Sequence, residues 1–240
     1  MRLSGPLAYG LLPVLAAQAL YVIARAERLP EAEGPRAGTT GTGPDLRLLI
    51  LGDSSAAGVG VSHQDEALAG HLTRQLAPAY KVNWRLIARS GITTAGAFDL
   101  AQRAQAEPFD VAITALGVND ATRLRAPESF AADQARLGAL LRTRFGVRHI
   151  IRSAVPPLGQ FRFLPQPLRR EIGACASALD LALQTLCERE SDACHLPFDA
   201  PLRPEMLASD GFHPGAPIYA EWGRRLAEMI RCEVKCAPAK

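Results

Sequence analysis

Nowhere in its 240 residues does the chain carry five or more like charges in a row, and its net charge of +3 is spread along its length. The electrostatic footprint of a nucleic-acid-binding surface is therefore missing. Its five cysteines, Cys175, Cys187, Cys194, Cys232 and Cys236, form no CxxC pair and no paired Cys/His spacing, which argues against a structural metal. No internal repeat recurs at the period of roughly 20 to 50 residues that marks a solenoid or propeller. A Walker loop would end in Gly-Lys-Ser/Thr, and a dinucleotide loop would read Gly-x-Gly-x-x-Gly after the first strand; "GDSSAAGVGV" fits neither.

What is present suits one well-buried α/β domain, because 48% hydrophobic and 21% charged residues can fill a core without a disordered composition. Buried or idle thiols are the simplest reading of the cysteines. Two pairs have spacings that would allow oxidation: Cys232 with Cys236 on one helix face, and Cys187 with Cys194 across a helix end and the next strand.

From Leu3 to Ala24 no residue is charged, about the length that crosses a bilayer. Residues 1–24 are expected to be a membrane anchor, or else a signal segment removed after export. Arg2 precedes the segment whereas Arg25, Arg28 and Arg36 follow it, which tips the positive-inside rule toward a cytoplasmic domain and leaves the membrane side open. Residues 25–45 read as a flexible Pro/Gly-rich linker, with the folded domain over 46–240.

Beyond the linker, apolar runs ending in glycine or proline alternate with helical stretches. Strands are expected at Leu46 to Gly52, Lys81 to Gly91, Phe109 to Asp120, Val147 to Pro157 and Cys194 to Phe198. Helices are expected around Leu68–Leu76, Thr94–Ala106, Ala126–Phe145, Leu168–Glu190 and Pro217–Cys232. Such alternation implies a three-layer α/β/α sandwich, since parallel neighbours need crossovers and the crossovers pack as helices. Ligands in these sheets bind beyond the carboxyl ends of the strands. Three short blocks, around Ser54, Gly91 and Asn119, each follow one of the first three strands and should meet at that edge.

A serine hydroxyl is a weak nucleophile until a base takes its proton. "SDGFHPG" supplies His213 in a loop before the last helix, with Asp210 three residues earlier to hold the other ring nitrogen. The backbone N–H groups of Ser54 and Gly91 and the amide of Asn119 are the candidate oxyanion donors. Ser55 fits a turn or cap, Asp53 a brace for the turn, and Asp120 a structural role. His63, His71, His149 and His195 lack a comparable acid and loop context. "PPLGQFRFLPQP" follows the fourth strand, and Leu158, Phe161 and Phe163 are its candidate substrate-binding residues.

The four blocks "LGDSSAAGVG", "RSGITTAG", "LGVND" and "SDGFHP" together resemble the SGNH (GDSL-type) hydrolase family of esterases and lipases, from about Leu46 to Cys232. The resemblance implies a flavodoxin-like, mainly parallel sheet of about five strands and a Ser54-His213-Asp210 triad working without a metal or other cofactor. One departure is Ile92, where many relatives place an acidic residue. The ordinary α/β-hydrolase pattern Gly-x-Ser-x-Gly is not met, because Ala56 stands where its second glycine would be. The expected activity is hydrolysis of carboxylic esters of a small molecule, lipid or glycan. Acyl transfer or glycan deacetylation at the same site, and a non-catalytic ligand-binding module, are the alternatives. Composition sets no oligomeric state.

Overall fold

The computed structural model describes residues 6–199 and 202–236. Helix α1 (Pro6–Arg25) is followed by a short strand β1 (Ala37–Thr40), and β2 (Asp45–Gly52) opens the alternating part. There follow α2 (Leu68–Leu76), β3 (Lys81–Ala88), α3 (Thr94–Arg103), β4 (Val111–Ala115), α4 (Val118–Thr122), α5 (Pro127–Phe145), β5 (His149–Ser153), α6 (Leu168–Arg189), β6 (Ala193–Leu196) and α7 (Ala216–Cys236). One sheet runs in the order β1-β3-β2-β4-β5-β6, with β2 to β6 parallel and β1 antiparallel to β3.

The leucine run of β2 shows why the sheet is covered on both faces. Leu48 and Ile50 point into a cluster with Leu68, Leu72 and Leu76 of α2 and Tyr219, Leu226 and Ile230 of α7. Leu49 and Leu51 point the other way, against Ala97 and Ala101 of α3 and Leu137 and Leu141 of α5. All four are fully buried, as expected of a parallel strand between two helical layers. The α/β/α sandwich is thus as the sequence implies.

The linker is the main difference. Ala37–Thr40 pairs with Arg85–Val82 of β3, making six strands instead of about five. Farther upstream, the Ala32 N–H donates to the Ala57 carbonyl at 3.2 Å and the Glu33 N–H to the Ser62 carbonyl at 2.9 Å. Residues 25–45 are therefore not a free tether throughout. The strand covers the edge of β3, whose N–H and C=O groups would otherwise face solvent. Its four residues are small or polar and mostly exposed, so no hydrophobic alternation announces it.

Helix α1 packs Leu15 into a third cluster with Leu158, Phe161, Leu164 and Leu168, and the Gln18 side chain accepts from the Leu168 N–H at 3.0 Å. Leu12, Val14, Leu20, Tyr21 and Ile23 remain exposed. Among the described residues no helix is long and apolar enough to cross a membrane, which differs from the spanning anchor expected of this segment.

Cys187 contacts the buried Arg152 guanidinium, which pairs with Glu190 of the α6 end, whereas Cys194 packs on Met229 of α7. The two thiols belong to opposite faces of the sheet, and both are free. Burial pushes the Cys194 thiol up to about 12. Cys232 is free and exposed, and the Cys236 side chain lies outside the described residues.

At the amino end of the sheet Asp110 joins three strands. It accepts from the Arg47 backbone N–H at 2.9 Å, from the Arg47 guanidinium at 2.7 and 3.1 Å, and from Arg148 at 2.6 Å. Burial would raise its carboxyl, but the Arg47 hydrogen bonds and both guanidinium charges hold it below the ordinary range. A depressed folded value means that this stabilisation is complete above the unfolded aspartate value of about 3.9 and is lost as pH falls through the folded one. Asp110→Asn is expected to cost about 2 kcal/mol at neutral pH. Urea melts should show that difference shrinking as acid protonates the parent carboxylate.

Candidate active site

Three adjacent strands deliver the site. At the end of β2 the chain turns sharply, and the Asp53 N–H donates to the Ala115 carbonyl of β4 at 3.1 Å. The buried Asp53 carboxylate accepts from the Ser55 N–H at 3.0 Å, the Ser55 hydroxyl at 2.8 Å and the Asn119 amide at 3.2 Å. Burial pushes this carboxyl up, against the pull of the Ser55 hydrogen bonds, the His213 charge and Asn119. Ser55 is committed to Asp53, which leaves Ser54 as the serine that faces a base.

That base arrives from the other end of the chain. The Ser54 Oγ lies 3.0 Å from His213 Nε2, and His213 Nδ1 lies 2.5 Å from Asp210 Oδ2. The second Asp210 oxygen accepts from the N–H groups of Phe212 and His213, both at 2.9 Å. Burial would raise Asp210, yet the bonds from the His213 ring and from these N–H groups outweigh it and keep the carboxyl below its usual range. The loop is closed by hydrogen bonds from the Ala208 N–H to the His213 carbonyl and from the Gly215 N–H to the Met206 carbonyl. It reaches Ser54 because Gly60 offers no side chain: a Cβ there would sit 2.2 Å from the Pro214 carbonyl oxygen. The buried Tyr219 hydroxyl then ties α7 to the loop that follows Ser54 by donating to the Val59 carbonyl at 2.8 Å.

Gly91 follows β3 with φ of +77°, and its carbonyl accepts from Arg123 at 3.1 Å. Asn119 sits in α4 after β4, and Asp53 occupies only one of its two amide hydrogens. Asp120 beside it is buried, which pushes its carboxyl up, and it accepts from the Thr94 N–H at 2.9 Å and the Thr94 hydroxyl at 3.0 Å. This pair ties the turn holding Asn119 to the segment just after Gly91. Ser54, Gly91 and Asn119 thus stand at the carboxyl ends of β2, β3 and β4.

Of the three expected pocket residues, Leu158 and Phe161 line a cavity that reaches Ser54 and His213. Phe163 does not line it: its ring lies 6.3 Å from Phe212, which itself packs edge-on against His213 at 5.4 Å. Phe212 stands where Phe163 was expected. Sequence reasoning also missed Ile218, Trp222 and Arg225, which line the cavity from α7 and repeat at helical spacing, the signal that would have marked them. His195 does have an acid partner, Asp180 at 2.9 Å, on the face of the sheet that packs against α6. Among the described residues no group of three or more His, Cys, Asp or Glu side chains is arranged to hold a metal ion.

Comparison with known proteins bears on the fold and the family. The GDSL-like esterase Rv1075c of Mycobacterium tuberculosis is 30% identical over 187 residues, which cover 73% of this chain and 59% of that protein. The chain thus spans under two thirds of the length of this curated relative. Among solved structures, the psychrotrophic esterase EstA from Pseudoalteromonas sp. shares the fold with a TM-score of 0.59 at 17% identity, over 79% of this chain and 98% of its own. Est24, a carbohydrate acetylesterase from Sinorhizobium meliloti, does so with a TM-score of 0.57 at 17% identity, over 78% and 99%. The model of the GDSL-like Lipase/Acylhydrolase family matches residues 50–221, well over half of the sequence, and the chain belongs to that family.

Proposed function

We propose that this protein is a serine esterase that cleaves carboxylic esters through an acyl-enzyme. The observation that carries this reading is the unbroken line from Ser54 Oγ to His213 Nε2 at 3.0 Å and from His213 Nδ1 to Asp210 at 2.5 Å. Ser54 Oγ attacks the ester carbonyl carbon while His213 Nε2 accepts its proton, and Asp210 holds the imidazolium that forms. The N–H groups of Ser54 and Gly91 and the free amide hydrogen of Asn119 receive the negative oxygen of the tetrahedral intermediate. His213 then returns the proton to the departing alkoxide. Water, deprotonated in turn by His213, attacks the acyl carbon and releases the acid with Ser54 restored. The Mycobacterium tuberculosis relative is itself named a GDSL-like esterase, which supports the assignment.

Transfer of the acyl group to another alcohol would use the same residues with that alcohol in place of water. A purely binding role gives no reason to keep a nucleophile in contact with its base. We also propose that the N-terminal segment attaches the protein to a membrane, supported by the uncharged stretch from Leu3 to Ala24 and the apolar side chains that α1 leaves exposed.

With p-nitrophenyl butyrate as substrate, Ser54→Ala and His213→Ala are expected to reduce kcat to near background. Asp210→Asn should lose on the order of ten-thousandfold while the protein stays folded. Parent-like rates in folded Ser54→Ala protein would refute the nucleophile. Asn119→Ala should lower kcat about a hundredfold or more with a much smaller effect on KM, because its donor acts on charge that develops only in the transition state. A change confined to KM would remove Asn119 from the oxyanion site.

A further inference from the structure

The cavity beside Ser54 is enclosed by the carboxyl ends of β4, β5 and β6, the loop before α7 and one stripe of α7. Its volume is about 100 Å³, several times what one water needs. Ala154, Leu158, Leu196, Phe212, Ile218 and Trp222 give it apolar walls. The indole N–H of Trp222 donates to the Ser153 hydroxyl at 3.0 Å, so the polar edges of those two side chains are turned on each other.

Distance along α7 gives the cavity its depth. Ile218, Trp222 and Arg225 share one helix face, and at a rise of 1.5 Å per residue Arg225 stands about 10 Å farther from the catalytic loop than Ile218. There the Arg225 guanidinium donates to the Pro197 carbonyl at 2.8 Å and pairs with Asp199 at 2.6 Å. The Arg225 side chain is 20% exposed and that of Asp199 66% exposed, so the far end closes on an ion pair that faces solvent. A chain lying along this stripe passes mostly hydrocarbon, with Glu221, paired to Arg224, on one side, and then meets the Arg225–Asp199 charges.

We infer that this cavity is the acyl pocket, that it takes straight-chain acyl groups of about eight carbons, the length that spans this helix stripe, and that the Arg225–Asp199 pair sets the upper limit. The inference rests on Ser54 being the nucleophile, and it names the substrate class of that site: medium-chain aliphatic esters in preference to acetylated sugars. A longer chain would have to push the ion pair aside or leave its terminal carbons in water, whereas an acetyl group leaves most of the apolar wall unused. Each methylene gained or lost in such a pocket is worth about tenfold or more in kcat/KM.

The test is a kcat/KM profile of the full chain on p-nitrophenyl acetate, butyrate, octanoate, dodecanoate and palmitate. The expected profile peaks at octanoate and falls at least about tenfold by palmitate. Ala154→Leu, which fills the pocket, should lower the octanoate-to-acetate ratio by about tenfold. Arg225→Ala should raise the dodecanoate-to-octanoate ratio by a similar factor, and Arg225→Lys, which keeps a cation for Asp199, should return it toward the parent. A second readout needs no turnover. In Ser54→Ala protein also carrying Trp84→Phe, octanoate should change the fluorescence of Trp222, and Ala154→Leu should abolish that change. An active parent whose ratios ignore both substitutions, or an octanoate response that survives Ala154→Leu, would overturn the pocket assignment. Loss of the esterase reading has a different signature: no ester is hydrolysed above the Ser54→Ala background, while octanoate still binds beside Trp222.

Discussion

At the carboxyl end of β2 the main chain runs so close to β4 that Gly52 has no room for a side chain. A Cβ there would lie 2.6 Å from the Ala115 carbonyl oxygen and 2.5 Å from the Ala56 Cβ. This approach lets Asp53 drop into the interior between two strand ends, with its N–H on Ala115 and its carboxylate on Ser55 and Asn119. Ser54 is then the residue left at the top of the turn, half-buried and facing His213. The turn, the orientation of Ser54 and the placement of Asn119 therefore depend on one contact between backbones. Any larger residue at position 52 would disturb all three at once.

Two aspartates near His213 illustrate how burial and hydrogen bonding compete. Asp53 is enclosed and its carboxyl is pushed up despite its partners, whereas Asp210 receives the imidazole and two backbone N–H groups and is held down. Only Asp210 is thus biased toward the charged state that an imidazolium requires, and it contacts the ring directly. Asp53 contributes through geometry. Its buried oxygen fixes the Asn119 amide, and it feels the His213 charge only through space, without a hydrogen bond to the ring.

Much of this could be seen in the sequence, because parallel strands end in backbone turns that need particular residues. Glycine after an apolar run marked the ends of β2 and β4, and the blocks holding Ser54 and Asn119 lay immediately beyond them. The histidine loop was visible as Asp210 and His213 three apart before a helix. What escaped notice depended on tertiary direction. The edge strand of Ala37–Thr40 has no apolar pattern because it buries almost nothing, and its reason to exist is the unpaired edge of β3, which local sequence does not display. Phe163 and Phe212 are both aromatic residues in loops, and only the packing shows that Phe212 takes the place against His213. Cys187 and Cys194 look like neighbours along the chain, but the sheet lies between them.

The segment before the sheet has a consequence for where the domain begins. The Glu31 carboxylate accepts from the N–H and hydroxyl of Ser90, both at 2.7 Å, and pairs with Arg36, whose guanidinium also donates to the Ala88 carbonyl at 2.8 Å. Ser90 immediately precedes Gly91. Residues 31–40 therefore act as a strap from the amino-terminal side onto the loop that carries Gly91, the proposed oxyanion donor. A protein trimmed to the first residue of the leucine run would keep Ser54, His213 and Asp210 and lose that fastening, along with the cover over the β3 edge. In such a shortened form, slackened catalysis and sticking between copies would share one origin.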